Sequence, residues 1–292
     1  MSTTVTPPPS TPAPPPPAPG RPADDPRRPD GGSRVVAIIV IVIGVIVLVG
    51  AMISAAVGTI ASASVHTTTH SVDAAGVNEL AVDTAAGSLR VEFADVREAE
   101  LEVTGSWGAN DWRLERTGDT LEVSSPDRFR WFGWGGWFGD QRTDGVLRLP
   151  SSLEGLDADI SLAAGDFQAD GDFGALGLSL AAGSFDVSGA AESVVADVSA
   201  GRGTLEIDGA STADLTVSAG ALDAALTGAQ PDSVEIDVSA GSLNLTVPEG
   251  EYDVDSDVSA GGFDNGIGST PGASSTIQVQ VSAGEAVLKS SR

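Results

Sequence analysis

Apolar and polar residues alternate through most of the chain beyond residue 77, and small residues interrupt the alternation at regular intervals. Every second residue is apolar or alanine in Leu176/Leu178/Leu180, Val194/Ala196/Val198, Val234/Ile236/Val238 and Ile277/Val279/Val281. Three residues after each set comes a glycine, and the alternation then resumes, as in Phe185/Val187, Leu222/Ala224/Leu226 and Leu243/Leu245/Val247. The corners read "TAAGSLRV", "LAAGDFQA", "LAAGSFDV", "VSAGRGTL", "VSAGALDA", "VSAGSLNL", "VSAGGFDN" and "VSAGEAVL". Their glycines are Gly87, Gly165, Gly183, Gly201, Gly220, Gly241, Gly261 and Gly284. From Gly165 onward they recur roughly every 20 residues, the mark of a stacked repeat. Period two on both sides of a small corner makes each repeat two short strands joined at Ala-Gly.

This predicts an all-β fold with a β-solenoid over residues 156–290, its inner core shared between neighbouring turns because one repeat cannot bury its apolar side alone. The pattern leaves the handedness open. Between Gly87 and Gly165 lie "AELEVTGSW", "DWRLERTGDTLEVSS" and "GVLRLP", which predict an antiparallel β section over residues 77–155 with a hairpin at "RTGDT". Its Leu101/Val103, Leu114, Leu121/Val123 and Leu147/Leu149 are expected to cover the open first end of the solenoid.

A different pattern precedes the repeats. From Val35 to Ile60 the chain carries no charged residue and shows no polar stripe, which predicts one transmembrane helix over residues 35–60. Arg21, Arg27, Arg28 and Arg34 all lie before it, so the N-terminus is expected in the cytoplasm and the C-terminal part outside the cell membrane. A cleaved signal peptide ending near "ASAS" at 61–64 is the competing reading; the long apolar run and long leader count against it. Residues 1–34 hold most of the chain's 17 prolines and predict a disordered tail, a possible ligand for a proline-recognising cytoplasmic partner. Residues 61–76 read as an extended stalk.

Charge narrows the partners. The formal net charge is −26, and nearly all the excess acid lies after Arg34, so a nucleic-acid partner is excluded. The absence of cysteine removes disulfides, thiolate metal sites and a cysteine nucleophile. "VEIDVSAGSLNLTVPEG", its sister repeats and "GVLRLPSSLEGLDADISLAAG" resemble the bacterial putative-adhesin family, a domain of unknown function built from strand–Ala-Gly–strand repeats. The resemblance covers most of residues 77–290. It implies a membrane-anchored cell-envelope protein and supplies no catalytic residue.

Several residue groups invite a chemical reading. Asp237, Asp255 and Asp257 recur on the outward side of the repeats, where they form either a solvated acidic face or weak calcium sites. His66 and His70, the only histidines, lack a third ligand in view and read as stalk residues. Ser199, Ser218, Ser239, Ser259 and Ser282 recur before the corners, far in sequence from any histidine base. No catalytic residue and no cofactor is expected. The aromatic stretch "DRFRWFGWGGWFGDQR", with Arg130, Trp131, Phe132, Trp134 and Trp137, admits three readings: a cap on the solenoid end, insertion into the membrane interface, or a platform for a glycan or protein. The function expected is a non-catalytic surface-binding or adhesion module. The alternatives are an envelope-stress sensor coupled through the proline-rich tail and, third, a polysaccharide-acting β-helix enzyme.

Overall fold

A strand that alternates with period two buries one row of side chains and needs a second layer to cover that row. In a computed structural model, which describes residues 66–105, 111–125 and 143–291, the chain supplies this layer by bending back on itself at each small-residue corner. The strands are β1 (His66–Val72), β2 (Glu79–Thr84), β3 (Gly87–Ala94), β4 (Ala99–Gly105), β5 (Arg113–Thr117), β6 (Thr120–Ser124), β7 (Thr143–Pro150), β8 (Leu156–Leu162) and β9 (Gly165–Asp170). They continue as β10 (Phe173–Asp208), β11 (Thr212–Val217), β12 (Ala221–Thr227), β13 (Ser233–Val238), β14 (Ser242–Val247), β15 (Tyr252–Val258), β16 (Gly262–Asn265), β17 (Ser275–Val281) and β18 (Glu285–Ser290). β10 runs unbroken through successive bends and contributes to both faces.

Each rung has a leading strand before the glycine and a trailing strand after it, and like strands of neighbouring rungs pair in parallel. Inward side chains therefore meet in register. Leu121, Leu80, Ala158 and Leu176 form one row; Val194, Ala213, Val234, Ile277 and Val254 form the next. All except Val254 are buried, and Val254 packs against the same continuous core. The all-β solenoid expected from the alternation is what the chain forms.

Its N-terminal part departs from the expected antiparallel section. Among the described residues antiparallel pairing is confined to β1 with β4, β4 with β7, and β5 with β6. β2/β3 and β6/β7 run parallel to their neighbours and are rungs of the coil itself. The sequence gap between Gly87 and Gly165 is thus an excursion through β4 and β5 between two rungs. β1 falls within the expected stalk, where it pairs along its whole length with β4. The expected tail (1–34), helix (35–60) and start of the stalk lie outside the described residues, as do Arg130, Trp131, Phe132, Trp134 and Trp137. Among the described residues no helix is long and apolar enough to cross a membrane.

The rungs do not stack in chain order at either end. β2/β3 lies between β6/β7 and β8/β9, and β17/β18 lies between β13/β14 and β15/β16. The second inversion separates like charges, although Asp214 still lies directly against Glu235. The outward residues of β13 are Glu235 and Asp237, and those of β15 are Asp255 and Asp257; in chain order these carboxylates would lie one above another about 4.8 Å apart. Instead Gln278 stands between Glu235 and Asp255, and Gln280 between Asp237 and Asp257. The double variant Gln278→Glu/Gln280→Glu restores two unbroken acidic columns. It is expected to lose about 2 kcal/mol at low salt, from about 0.5 kcal/mol per new like-charge neighbour, and to recover much of that in 0.5 M salt. Urea unfolding at both salt concentrations measures the loss, and a loss independent of salt would show that charge does not govern the order.

The corners stack too. A Cβ added to Gly165 would collide with the Gly87 carbonyl, and one added to Gly183 with the Gly165 carbonyl. The column continues through Gly201, Gly220 and Gly241, then Gly284 and finally Gly261, following the spatial order of rungs. Gly165 and Gly183 also take φ of 142° and 119°, where side chains are strained. At Gly201, Gly220, Gly241 and Gly284 the φ is not positive, and close approach to the neighbouring backbone alone demands glycine.

Candidate functional site

Because the inner rows are committed to the core, chemistry is left to the outward rows. On the trailing face these rows cross β10, β12, β14 and β18 as Thr204–Asp223–Asn244 and as Glu206–Ala225–Thr246–Lys289. Together they line a shallow groove of about 500 Å³. Asn244 Nδ2 donates to Asp223 Oδ1 at 2.7 Å, which fixes the amide orientation along one wall. The other row has Glu206 at one end and Lys289, the chain's only lysine, at the other, with the small Ala225 and Thr246 between them. A floor of small residues flanked by hydroxyl, amide, carboxylate and ammonium groups can hydrogen-bond a polyhydroxylated chain lying across the rungs.

The leading face carries a second, smaller groove of about 310 Å³ lined in part by Asp83, Ser161, Ser179, Asp197 and Ser199. Asp83 pairs across to Ser161, so serine follows carboxylate along the ladder. The hydroxyl of Ser199 donates to Asp197 at 3.5 Å. Neither groove includes a histidine, since His66 and His70 lie on β1 at the N-terminal edge.

The rung order spreads the three aspartates weighed as weak calcium ligands over separate positions. Gln280 separates Asp237 from Asp257, and Asp255 stands in the adjacent column beside Gln278. Among the described residues no group of three His, Cys, Asp or Glu is placed to hold a metal ion. The acidic face is a row of carboxylates interspersed with neutral residues.

The residues that flank the aromatic stretch are described. Ser125 N–H donates to the Asp83 carbonyl at 3.0 Å, and Ser125 Oγ accepts from Ala85 N–H at 2.8 Å. On the far side Thr143 abuts Gly87. Residues 126–142 themselves lie outside the described residues. At this end Trp112, 1% exposed, lies against Gly87 and Gly145. Trp112 precedes Leu114 by two residues, and this spacing marks it as inward-facing. Nearby, Arg148 Nη1 donates to Glu102 Oε2 at 3.0 Å, and this bond raises the guanidinium pKa above its ordinary value.

At the opposite end the sole tyrosine, Tyr252, is buried and donates its hydroxyl to the Pro248 carbonyl at 3.0 Å. Burial pushes its pKa up to about 12. The folded state thus keeps a proton that the unfolded chain, with an ordinary value near 10, releases first. This contribution to stability is complete below pH ~10 and is lost as pH rises through about 12. Absorbance at the tyrosinate band should show no ionisation near pH 10 in the folded protein and full ionisation there in urea.

A parallel coil with stacked glycine corners defines the class of the domain, and comparison with known proteins specifies it. Residues 77–261 match the family model Toastrack DUF4097, and the chain belongs to that family. Similar solved structures include a putative cell adhesion protein from Clostridium sporogenes ATCC 15579, 12% identical over 78% of this chain and 100% of that one, with a TM-score of 0.34. A putative adhesin from Bacteroides fragilis NCTC 9343 is 13% identical over 77% of this chain and 97% of its own, with a TM-score of 0.41. A putative lipid binding protein from Parabacteroides distasonis ATCC 8503 is 12% identical over 76% and 97%, with a TM-score of 0.39. No curated protein matches the chain.

Proposed function

We propose that the chain is a single-pass cell-envelope protein whose solenoid lies outside the cytoplasm and binds a surface polymer without transforming it. The observation that carries this reading is the trailing-face groove, in which Thr204, Glu206, Asp223, Asn244, Thr246 and Lys289 repeat polar groups from rung to rung. Rungs about 4.8 Å apart set polar side chains at a regular spacing, which suits an extended polymer laid across them. Anchoring rests on the apolar run 35–60 and the arginines that precede it. The aromatic residues Trp131, Trp134 and Trp137 offer a second contact. The proline-rich tail favours a coupled reading, in which ligand capture outside is reported to a cytoplasmic partner.

The test uses the full-length chain in non-ionic detergent, with immobilised cell-wall fractions and defined glycans. Wild type should retain at least one polysaccharide, and Asn244→Ala/Lys289→Ala should weaken retention at least tenfold. A Trp131→Ala/Trp134→Ala/Trp137→Ala variant reports separately on the aromatic residues. Absence of retention by wild type overturns the binding reading, and full retention by the groove variant removes the groove from it. Release of soluble sugar would overturn the non-catalytic assignment.

A further inference from the structure

The two ends of the coil are finished differently. At the N-terminal end Trp112, just before β5, is buried against Gly87 and Gly145, and β1 pairs with β4. At the C-terminal end, among the described residues, β15 and β16 pair only on the side facing β17 and β18. In a parallel strand alternate residues direct both backbone groups to opposite sides. Ser259 N–H donates to the Val281 carbonyl, so the odd-numbered residues of β15 face the coil and Val254, Ser256 and Val258 face outward. The turn after β16 covers the first part of this edge: Val254 N–H donates to Ser269 Oγ at 2.9 Å, and Thr270 N–H donates to the Tyr252 carbonyl at 2.7 Å. The cover ends there. Ser256 and Val258 continue the rows of Val279 and Val281, yet both are exposed, Val258 at 40%. On β16 Gly262 N–H donates to the Gly284 carbonyl, which leaves the backbone groups of Phe263 facing outward as well.

We infer that this open edge, at Ser256, Val258 and Phe263, accepts an extended peptide as an added parallel or antiparallel strand, and that the peptide alternates basic with small apolar residues. Strand addition supplies the backbone hydrogen bonds that an exposed edge leaves unmade. Register supplies the specificity. Side chains of an added strand fall into the rows they extend, so one set meets the inward row of Ser256 and Val258 and the other meets Asp255 and Asp257. Lysine or arginine opposite those carboxylates is favoured, and an acidic residue is repelled. The same carboxylates disfavour a second copy of this chain, since edge-to-edge pairing would bring two rows of aspartate together at about 4.8 Å. The site is separate from both grooves, and its test is independent of the proposal for surface binding.

The experiment uses the full-length chain and three fluorescent octapeptides: alternating Val-Lys, alternating Val-Glu, and a block of lysines followed by valines. Val258→Pro deletes an N–H that makes no ladder bond, so it obstructs strand addition and leaves the acidic charge intact. The alternating Val-Lys peptide should bind at least tenfold more tightly than either of the others. Val258→Pro should abolish that preference, and Asp255→Asn/Asp257→Asn should reduce affinity about tenfold. In wild type the bound peptide should slow amide exchange at Ser256, Val258 and Phe263 while leaving Asp255 and Asp257 unchanged, a readout that stands even if the proline variant is poorly folded. Equal binding of the block peptide, or peptide binding without protection at those three amides, overturns the inference. Concentration-dependent dimerisation of the chain through this edge would also overturn it, in favour of a second copy.

Discussion

Gly183→Ala should destabilise the solenoid by about 4 kcal/mol, far more than the same change at a glycine on the outside of a turn. Two costs combine. The φ of 119° at Gly183 holds a side chain in a sparsely populated region, at about 1–3 kcal/mol. The added methyl also lands on the backbone of Gly165, and relief requires separating two rungs held together on both faces, at about 1–3 kcal/mol more. Two other glycines separate these costs. Gly209 has φ of 75° with nothing within 4 Å of an added Cβ, so Gly209→Ala should cost only about 1 kcal/mol. Gly262 has open space and no positive φ, and Gly262→Ala should lie within about 0.5 kcal/mol of wild type. Urea unfolding of the three variants measures the series. If Gly183→Ala unfolds like Gly209→Ala, the corners are not in tight register and the stacked column is not what constrains them.

The series also shows which parts of the fold could be read from sequence. Period-two alternation around Ala-Gly identifies the inward residues, because Val234/Ile236/Val238 can bury only one side of a strand. Such a local signal is nearly the same in every rung and therefore says little about which rung lies against which. That choice depends on pairs distant in sequence, such as Asp237 with Gln280, and on connections long enough to pass over an intervening rung. The acidic columns are legible in the composition, but their interruption by glutamine is not, because Gln278 and Gln280 belong to a rung placed between β13 and β15 by long-range pairing. The polar groove was missed for the same reason: Asp223, Asn244 and Lys289 come together only through stacking across β12, β14 and β18. Residues 126–142 stand out in the sequence by their three tryptophans, whereas the tryptophan buried at the described end is Trp112, outside that stretch.

Trp112→Ala should therefore cost about 3–5 kcal/mol, the range for removing a large buried aromatic side chain. The ring packs over two glycines, Gly87 and Gly145, and has no large side chain beneath it there to slide into the vacancy. Leu89 Cδ1 already approaches the position a Gly145 Cβ would take at 3.1 Å, so the neighbouring core is filled to contact. In a stacked array each rung depends on its nearest neighbours, and damage to a terminal rung is felt first at that end. Amide exchange should accordingly accelerate through β5, β6 and β7, while β11–β14 keep protection close to wild type. Trp112→Phe should recover part of the stability by refilling some of the volume. Its difference spectrum isolates the emission of Trp112 from that of the chain's other tryptophans, and the missing emission should be blue-shifted because the ring is dry. Uniform loss of protection along the whole coil would mean that the solenoid unfolds as one unit; a red-shifted missing component would mean that the ring is wet and does not seal the end.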